Sequence, residues 1–120
     1  MPNEFKPTIG GKVSKREAEA WIKRYDDEDR LDKEKDTRSV FFGKEFLHEV
    51  LKNAPEAAGI SFFFAKKHSE FANKNVVSLV LVPRKEDGTL IWPDFIEGKD
   101  GESKENGAYD RGANCPPACG

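Results

Sequence analysis

The residues with the most distinctive chemistry close the chain, as Cys115-Pro116-Pro117-Ala118-Cys119. Two thiols at this spacing admit three readings. A disulfide needs its Cα atoms about 5.5–6 Å apart, whereas a polyproline segment rising about 3.1 Å per residue would hold them roughly 12 Å apart. A bridge therefore requires a turn, which Pro at the second position of a β-turn or a cis X-Pro bond can supply. So short a ring would constrain about 2 kcal/mol of chain entropy. In the second reading Cys115 and Cys119 supply half of a zinc site, completed by His48 and His68 or by a second chain's cysteines. In the third the pair is reduced and inert on an exposed end. The spacing is neither the Cys-x-x-Cys redox motif nor a haem attachment, and Pro117 stands where a prenylation signal needs cysteine.

His48 and His68 are the only histidines. At about 100° per residue His48 falls near the edge of a helix's polar face, beside Glu45, Glu49 and Lys52, where Glu45 could orient it as a general base. A surface histidine among charged neighbours is the ordinary reading. No Ser/His/Asp constellation, phosphate-binding glycine loop or His-Glu-x-x-His occurs, so no catalytic residue is assigned. Gly10-Gly11 precedes a helix and could face an anion, but reads as flexible lead-in.

The elements that must position these groups follow from periodicity. Ser14-Lys15-Arg16-Glu17 fits a capping box, and Ala18, Trp21, Ile22 and Tyr25 then recur at helical spacing. Residues 26–38 are almost wholly charged and read as a solvated helix end and loop. The acidic run lacks the alternating ligands, glycine and terminal Glu of a calcium loop. Ser39-Val40-Phe41-Phe42 reads as a short strand. A second helix follows, with Phe46, Leu47, Val50, Leu51 and Ala54 on one face, and Pro55 ends it. Ile60–Ala65 and Val76–Val82 read as strands joined by polar residues 66–75. Asp87-Gly88 signals a hairpin into a third strand, Thr89–Trp92, stopped by Pro93.

This order predicts an α+β fold, with two helices packed on a small antiparallel β-meander of three to four strands. Residues 1–96 form the domain with its lead-in, and residues 97–120 a charged, Gly-rich tail. Trp21, Tyr25, Phe41, Phe42, Phe46, Phe62, Phe64 and Trp92 are assigned to the core. Phe62-Phe63-Phe64 and the run Val76–Val82, broken only by Ser78, make both faces of the sheet apolar, where a half-buried strand would alternate. Either the chain's own ends cover the second face or another molecule does. A partner is favoured, most economically a second copy, and Phe63 and Phe95 are the candidate interaction residues, for the uncovered face or for a pocket.

Twenty basic against twenty-two acidic residues give a net charge of −2. That balance argues against a nucleic-acid partner, which draws affinity from a basic surplus. The longest apolar run is too short to span a bilayer, and the first residues lack a secretory pattern. The expectation is a cytoplasmic protein that meets neither membrane nor nucleic acid.

Capped helix, Phe41-Phe42-Gly43-Lys44-Glu45-Phe46-Leu47, Ala58-Gly59-Ile60 and the final Cys-Pro-Pro-x-Cys together resemble a group of small uncharacterised bacterial proteins. The resemblance spans most of the chain after Val13. It implies no catalytic residues, but it does imply that the FFGKE segment and the cysteine pair belong to one design, with the tail folded back.

The function expected is a non-enzymatic interaction module that self-associates through an apolar sheet face. The alternative is a small-ligand or metal-binding protein using Cys115 and Cys119 with a histidine. No cofactor is required, and zinc is the metal that this alternative would take.

Overall fold

A computed structural model describes residues 5–96, 104–106 and 108–119, of which 94–96 and 104–106 as backbone alone. The elements run α1 (Lys15–Asp29), β1 (Ser39–Phe41), α2 (Lys44–Lys52), β2 (Gly59–Ser69), β3 (Lys74–Arg84), β4 (Asp94–Ile96), β5 (Lys104–Asn106) and β6 (Ala113–Cys115). The fold is α+β. Its strands pair two by two, as β1–β6, β2–β3 and β4–β5, rather than as one continuous meander. The chain gathers into two compact units, and the β2–β3 hairpin runs through both. One holds Met1–Ile9, Phe42–Phe63 and Leu79–Arg111; the other holds Gly10–Phe41, Phe64–Ser78 and Gly112–Gly120.

In the first unit, α2 starts at Gly43, whose carbonyl accepts from Leu47 N at 3.1 Å. The helix ends where Asn53 N donates to the Glu49 carbonyl, two residues before Pro55. Its apolar face carries Val50, which is fully buried, and Ala54 beyond its end is buried too. A train of aromatic rings extends this core. Tyr109 meets Phe46 edge to face at 5.6 Å, Phe46 stacks on Phe42 at 5.8 Å, and Phe42 meets Phe62 edge to face at 6.4 Å. Such pairs each add about 0.5–1.5 kcal/mol beyond burial.

The Asp87-Gly88 turn is present. Lys85 N donates to the Thr89 carbonyl, Thr89 N donates to Asp87 Oδ1, and Gly88 adopts φ +95°. The expected third strand is not. Thr89–Trp92 forms a single bridge, Leu90 to Arg84, made by the Lys85 N bond to the Thr89 carbonyl and by one from Ile91 N to the Pro83 carbonyl. The reason is a shortage of donors. Pro83 has no N–H to return to this segment, and Pro93 has none to extend it. The outer edge of β3 pairs instead with Tyr109, which exchanges both backbone bonds with Leu81, at 2.8 and 3.0 Å. Leu81, Val82 and Pro83 are consecutive and all buried, so this part of β3 is covered on both faces.

In the second unit, Ser14 caps α1 by accepting from Glu17 N at 3.1 Å. The expected return bond is redirected, and Glu17 Oε1 accepts from the Ser14 hydroxyl rather than from its amide. The charged run after α1 is more ordered than its composition suggested. Arg30 is buried, bridges Asp26, and donates to the carbonyls of Asp36 and Lys33. The hydrogen bond from Arg30 holds the Asp26 carboxyl below its ordinary range. Asp36 is lowered too, first by its bond to Lys74, 2.7 Å away.

β6 lies antiparallel to β1, with Ser39 opposite Cys115, Val40 opposite Asn114 and Phe41 opposite Ala113. A polar network fixes this pair. Asn114 Nδ2 donates to Thr37 Oγ1 (3.3 Å) and to the Val77 carbonyl (3.2 Å), while its Oδ1 accepts from Ser78 Oγ (3.5 Å). Thr37 Oγ1 donates to the same Val77 carbonyl, and the Thr37 carbonyl accepts from Tyr25 OH. Residues 113–115 are therefore docked onto β1 and, through Asn114, onto Thr37 and β3.

Candidate functional site

Among the described residues the buried apolar set is small, comprising Val50, Ala54, Val76, Leu81, Val82 and Cys115. This overturns much of the expected aromatic core. Trp21 is 52% exposed, Phe41 69%, Phe62 47%, Phe64 86%, and Trp92 is also exposed. Phe42, Phe46 and Tyr25 are partly covered. On α1 no residue is buried, so its Trp21 and Ile22 stripe lies open. The physical reason is one of supply, since a short helix and a two-stranded ribbon offer too little surface to cover every ring.

The exposed rings concentrate on β2, where Phe62, Phe63 and Phe64 follow one another. Alternation along a strand sends Phe62 and Phe64 to one face and Phe63 to the other. Phe62 uses one edge against Phe42, while Phe64 stands almost fully in solvent. Among the described residues β2 pairs with β3, and no other strand is paired along its opposite edge. The strand is also longer than expected. It continues through Lys66, Lys67 and His68 to Ser69, and a four-residue turn closes on Asn73 at φ +56°.

Phe63 belongs to a second cluster in the first unit. The Arg84 guanidinium lies 4.5 Å from the Phe5 ring centre and 5.7 Å from that of Phe63. It donates from Nε to Ser61 Oγ at 2.9 Å and from Nη1 to the Gly88 carbonyl at 3.2 Å. A pocket of about 370 Å³ opens beside it, between the lead-in Phe5–Ile9 and residues 58–61. Phe95 lies in β4 opposite Glu105, and its side chain is outside the described residues.

The cysteines are joined. Cys115 and Cys119 form a disulfide with Cα atoms 4.7 Å apart. The turn that this closure needs contains cis bonds at Cys115–Pro116 and Pro116–Pro117. Ala118 N donates to the Asn114 carbonyl, and Cys119 N to that of Pro117. Cys115 is buried and Cys119 exposed. Thiolate coordination of zinc by this pair would first require the bridge to be reduced. His48 is exposed on α2 in the first unit and His68 is exposed on β2 in the second. Among the described residues no three His, Cys, Asp or Glu side chains gather in a metal-holding group.

Sequence reasoning passed over Arg84, Asn114 and Tyr109. Arg84 had a visible signal, a cation closing an apolar strand just before a turn. Asn114 and Tyr109 sat in a stretch whose composition showed little to bury, and only the fold gives them partners.

By its elements the chain is a small α+β protein, and its strand β2 carries three exposed phenylalanines. No family model matches it, and neither a curated protein nor a solved structure is significantly similar to it. Among the described residues no helix is long and apolar enough to cross a membrane.

Proposed function

We propose that the chain is a non-enzymatic interaction module whose partner is a second copy of itself, paired through β2. One observation carries the reading. Phe64 is 86% exposed on a strand whose outer edge is unpaired among the described residues. An open apolar edge is a template for another strand.

Charge selects the arrangement. Parallel, in-register pairing would set Lys66 against its own copy, which is unfavourable. Antiparallel pairing about Phe64 sets Phe64 against Phe64, Lys66 against Phe62 and Lys67 against Ser61. The two Lys66 residues then lie about 13 Å apart along the strands, beyond the screening length of physiological salt. Burying two Phe64 rings contributes about 3–6 kcal/mol, with backbone bonds adding about 0.5–1.5 kcal/mol each. Set against an association cost of about 4–15 kcal/mol, the dimer is weak.

Sedimentation equilibrium between about 10 μM and 1 mM, the range such a balance sets, tests this. The wild type is expected to move from monomer toward dimer, and Phe64→Lys to stay monomeric with an unchanged circular dichroism spectrum. A wild type that is monomeric throughout would sink the reading. A reducing cytosol would hold Cys115 and Cys119 as thiols, so their state in cells reports whether the module works in the cytoplasm.

A further inference from the structure

The pocket beside Arg84 has a chemistry that self-association leaves unused. Arg84 spends Nε and one Nη1 hydrogen on neutral acceptors, Ser61 Oγ and the Gly88 carbonyl. Among the described residues no carboxylate lies within ion-pair distance of it. Lys6 lines the same pocket, and among the described residues it has no acidic partner and no Asp or Glu joins the lining. The whole chain carries more acid than base, so two cations at one concavity with no carboxylate beside them among the described residues are a local reversal of sign.

The rings sharpen the geometry. Phe5 and Phe63 lie near the guanidinium, and such stacking shields its faces and leaves its edge for hydrogen bonding. Nη2 and the second Nη1 hydrogen make up that edge. A planar fork of this kind matches the two oxygens of a carboxylate. The rest of the lining is largely apolar, from Pro7, Ile9, Ala58 and Ile60, and the volume of about 370 Å³ lies within the usual range for small-molecule sites. We infer that this pocket binds a small carboxylate with an apolar body, its oxygens on the Arg84 edge, its charge facing Lys6, and its hydrocarbon part against Ile9 and Ile60. A phosphate dianion suits it less, because one fork and one lysine beside an apolar wall leave most of its oxygens without donors.

Phenylacetate is the probe, followed through the backbone amide resonances of the full chain by NMR. Saturable shifts are expected at Gly59, Ile60, Ser61 and Arg84, with a dissociation constant of about 1–10 mM for a ligand of this size. Lys6→Gln, an exposed change that leaves the fold intact, should weaken binding several-fold. Arg84→Lys keeps the charge but loses the fork, and should weaken it by about tenfold or more. Neutral 2-phenylethanol and inorganic phosphate should each leave the pocket amides unmoved at the same concentrations. The inference is overturned if phenylacetate moves no pocket resonance, if 2-phenylethanol or phosphate binds as well, or if Lys6→Gln and Arg84→Lys both bind as the wild type does. The titration is repeated in Phe64→Lys, which lies outside the pocket lining and is expected to stay monomeric, so that loss of pocket binding and loss of the dimer are told apart.

Discussion

Replacing Asn114 by alanine tests how the end of the chain is held. Asn114 is the only side chain among the described residues that joins Thr37, Val77 and Ser78. Its bonds are long, 3.2–3.5 Å, which puts each at the weak end of a range of about 0.5–1.5 kcal/mol. The larger penalty falls on Ser78. Its hydroxyl, in a residue 1% exposed, loses its acceptor, and an orphaned buried group costs about 1–3 kcal/mol. The Val77 carbonyl keeps Thr37 as a donor and adds little. Together Asn114→Ala should destabilise by about 2–3 kcal/mol. With a urea slope of about 1–3 kcal/mol per molar, the unfolding midpoint falls by about 1–2 M. Adding Ser78→Ala removes the orphan and should recover about 1 kcal/mol, a coupling visible in a double-mutant cycle. A loss below about 0.5 kcal/mol, or strict additivity of the two changes, would refute the network argument.

Two further outcomes follow from the same unit. Reducing the Cys115–Cys119 bridge should raise the mass by two hydrogens and lower stability by no more than about 2 kcal/mol. The circular dichroism spectrum should stay unchanged, because β6 keeps its pairing with β1; global unfolding on reduction would contradict this. The Asp36 carboxyl is held below its ordinary value chiefly by Lys74. A depressed folded pKa contributes stability above the unfolded value and loses it as pH falls toward the folded one. Stability should therefore be insensitive to this group at neutral pH and decline only below about pH 3.9. Lys74→Met should move the Asp36 titration, followed by carboxyl carbon NMR, upward; an unmoved titration would remove Lys74 as the cause.

Much of the secondary structure was legible because it rests on local chemistry. The Ser14 cap, the apolar face of α2, its stop before Pro55 and the Asp87-Gly88 turn are each dictated by a few neighbouring residues. Burial was not legible, because it depends on what the rest of the chain can supply. Trp21 and Phe64 have the hydrophobicity of core residues, but nothing in their own segments shows that the fold runs out of surface to cover them. The third strand failed for a reason present in the sequence, the missing donors of Pro83 and Pro93. Asn114 and Tyr109 escaped because a polar residue's burial is decided by partners distant in sequence, here Thr37, Val77, Ser78 and Leu81. Of the site residues, Phe63 was legible from its break in alternation, whereas the importance of Arg84 emerges only when Phe5 is brought beside it.

Amide hydrogen exchange along β2 addresses edge pairing most directly, because it separates strand addition from loose contact between rings. At concentrations where the wild type self-associates, the outward-pointing amides between Ser61 and Lys67 should gain protection that deepens with concentration. Those amides in Phe64→Lys should exchange as exposed groups throughout. Outer-edge amides of the wild type that exchange freely at every concentration would contradict pairing through β2.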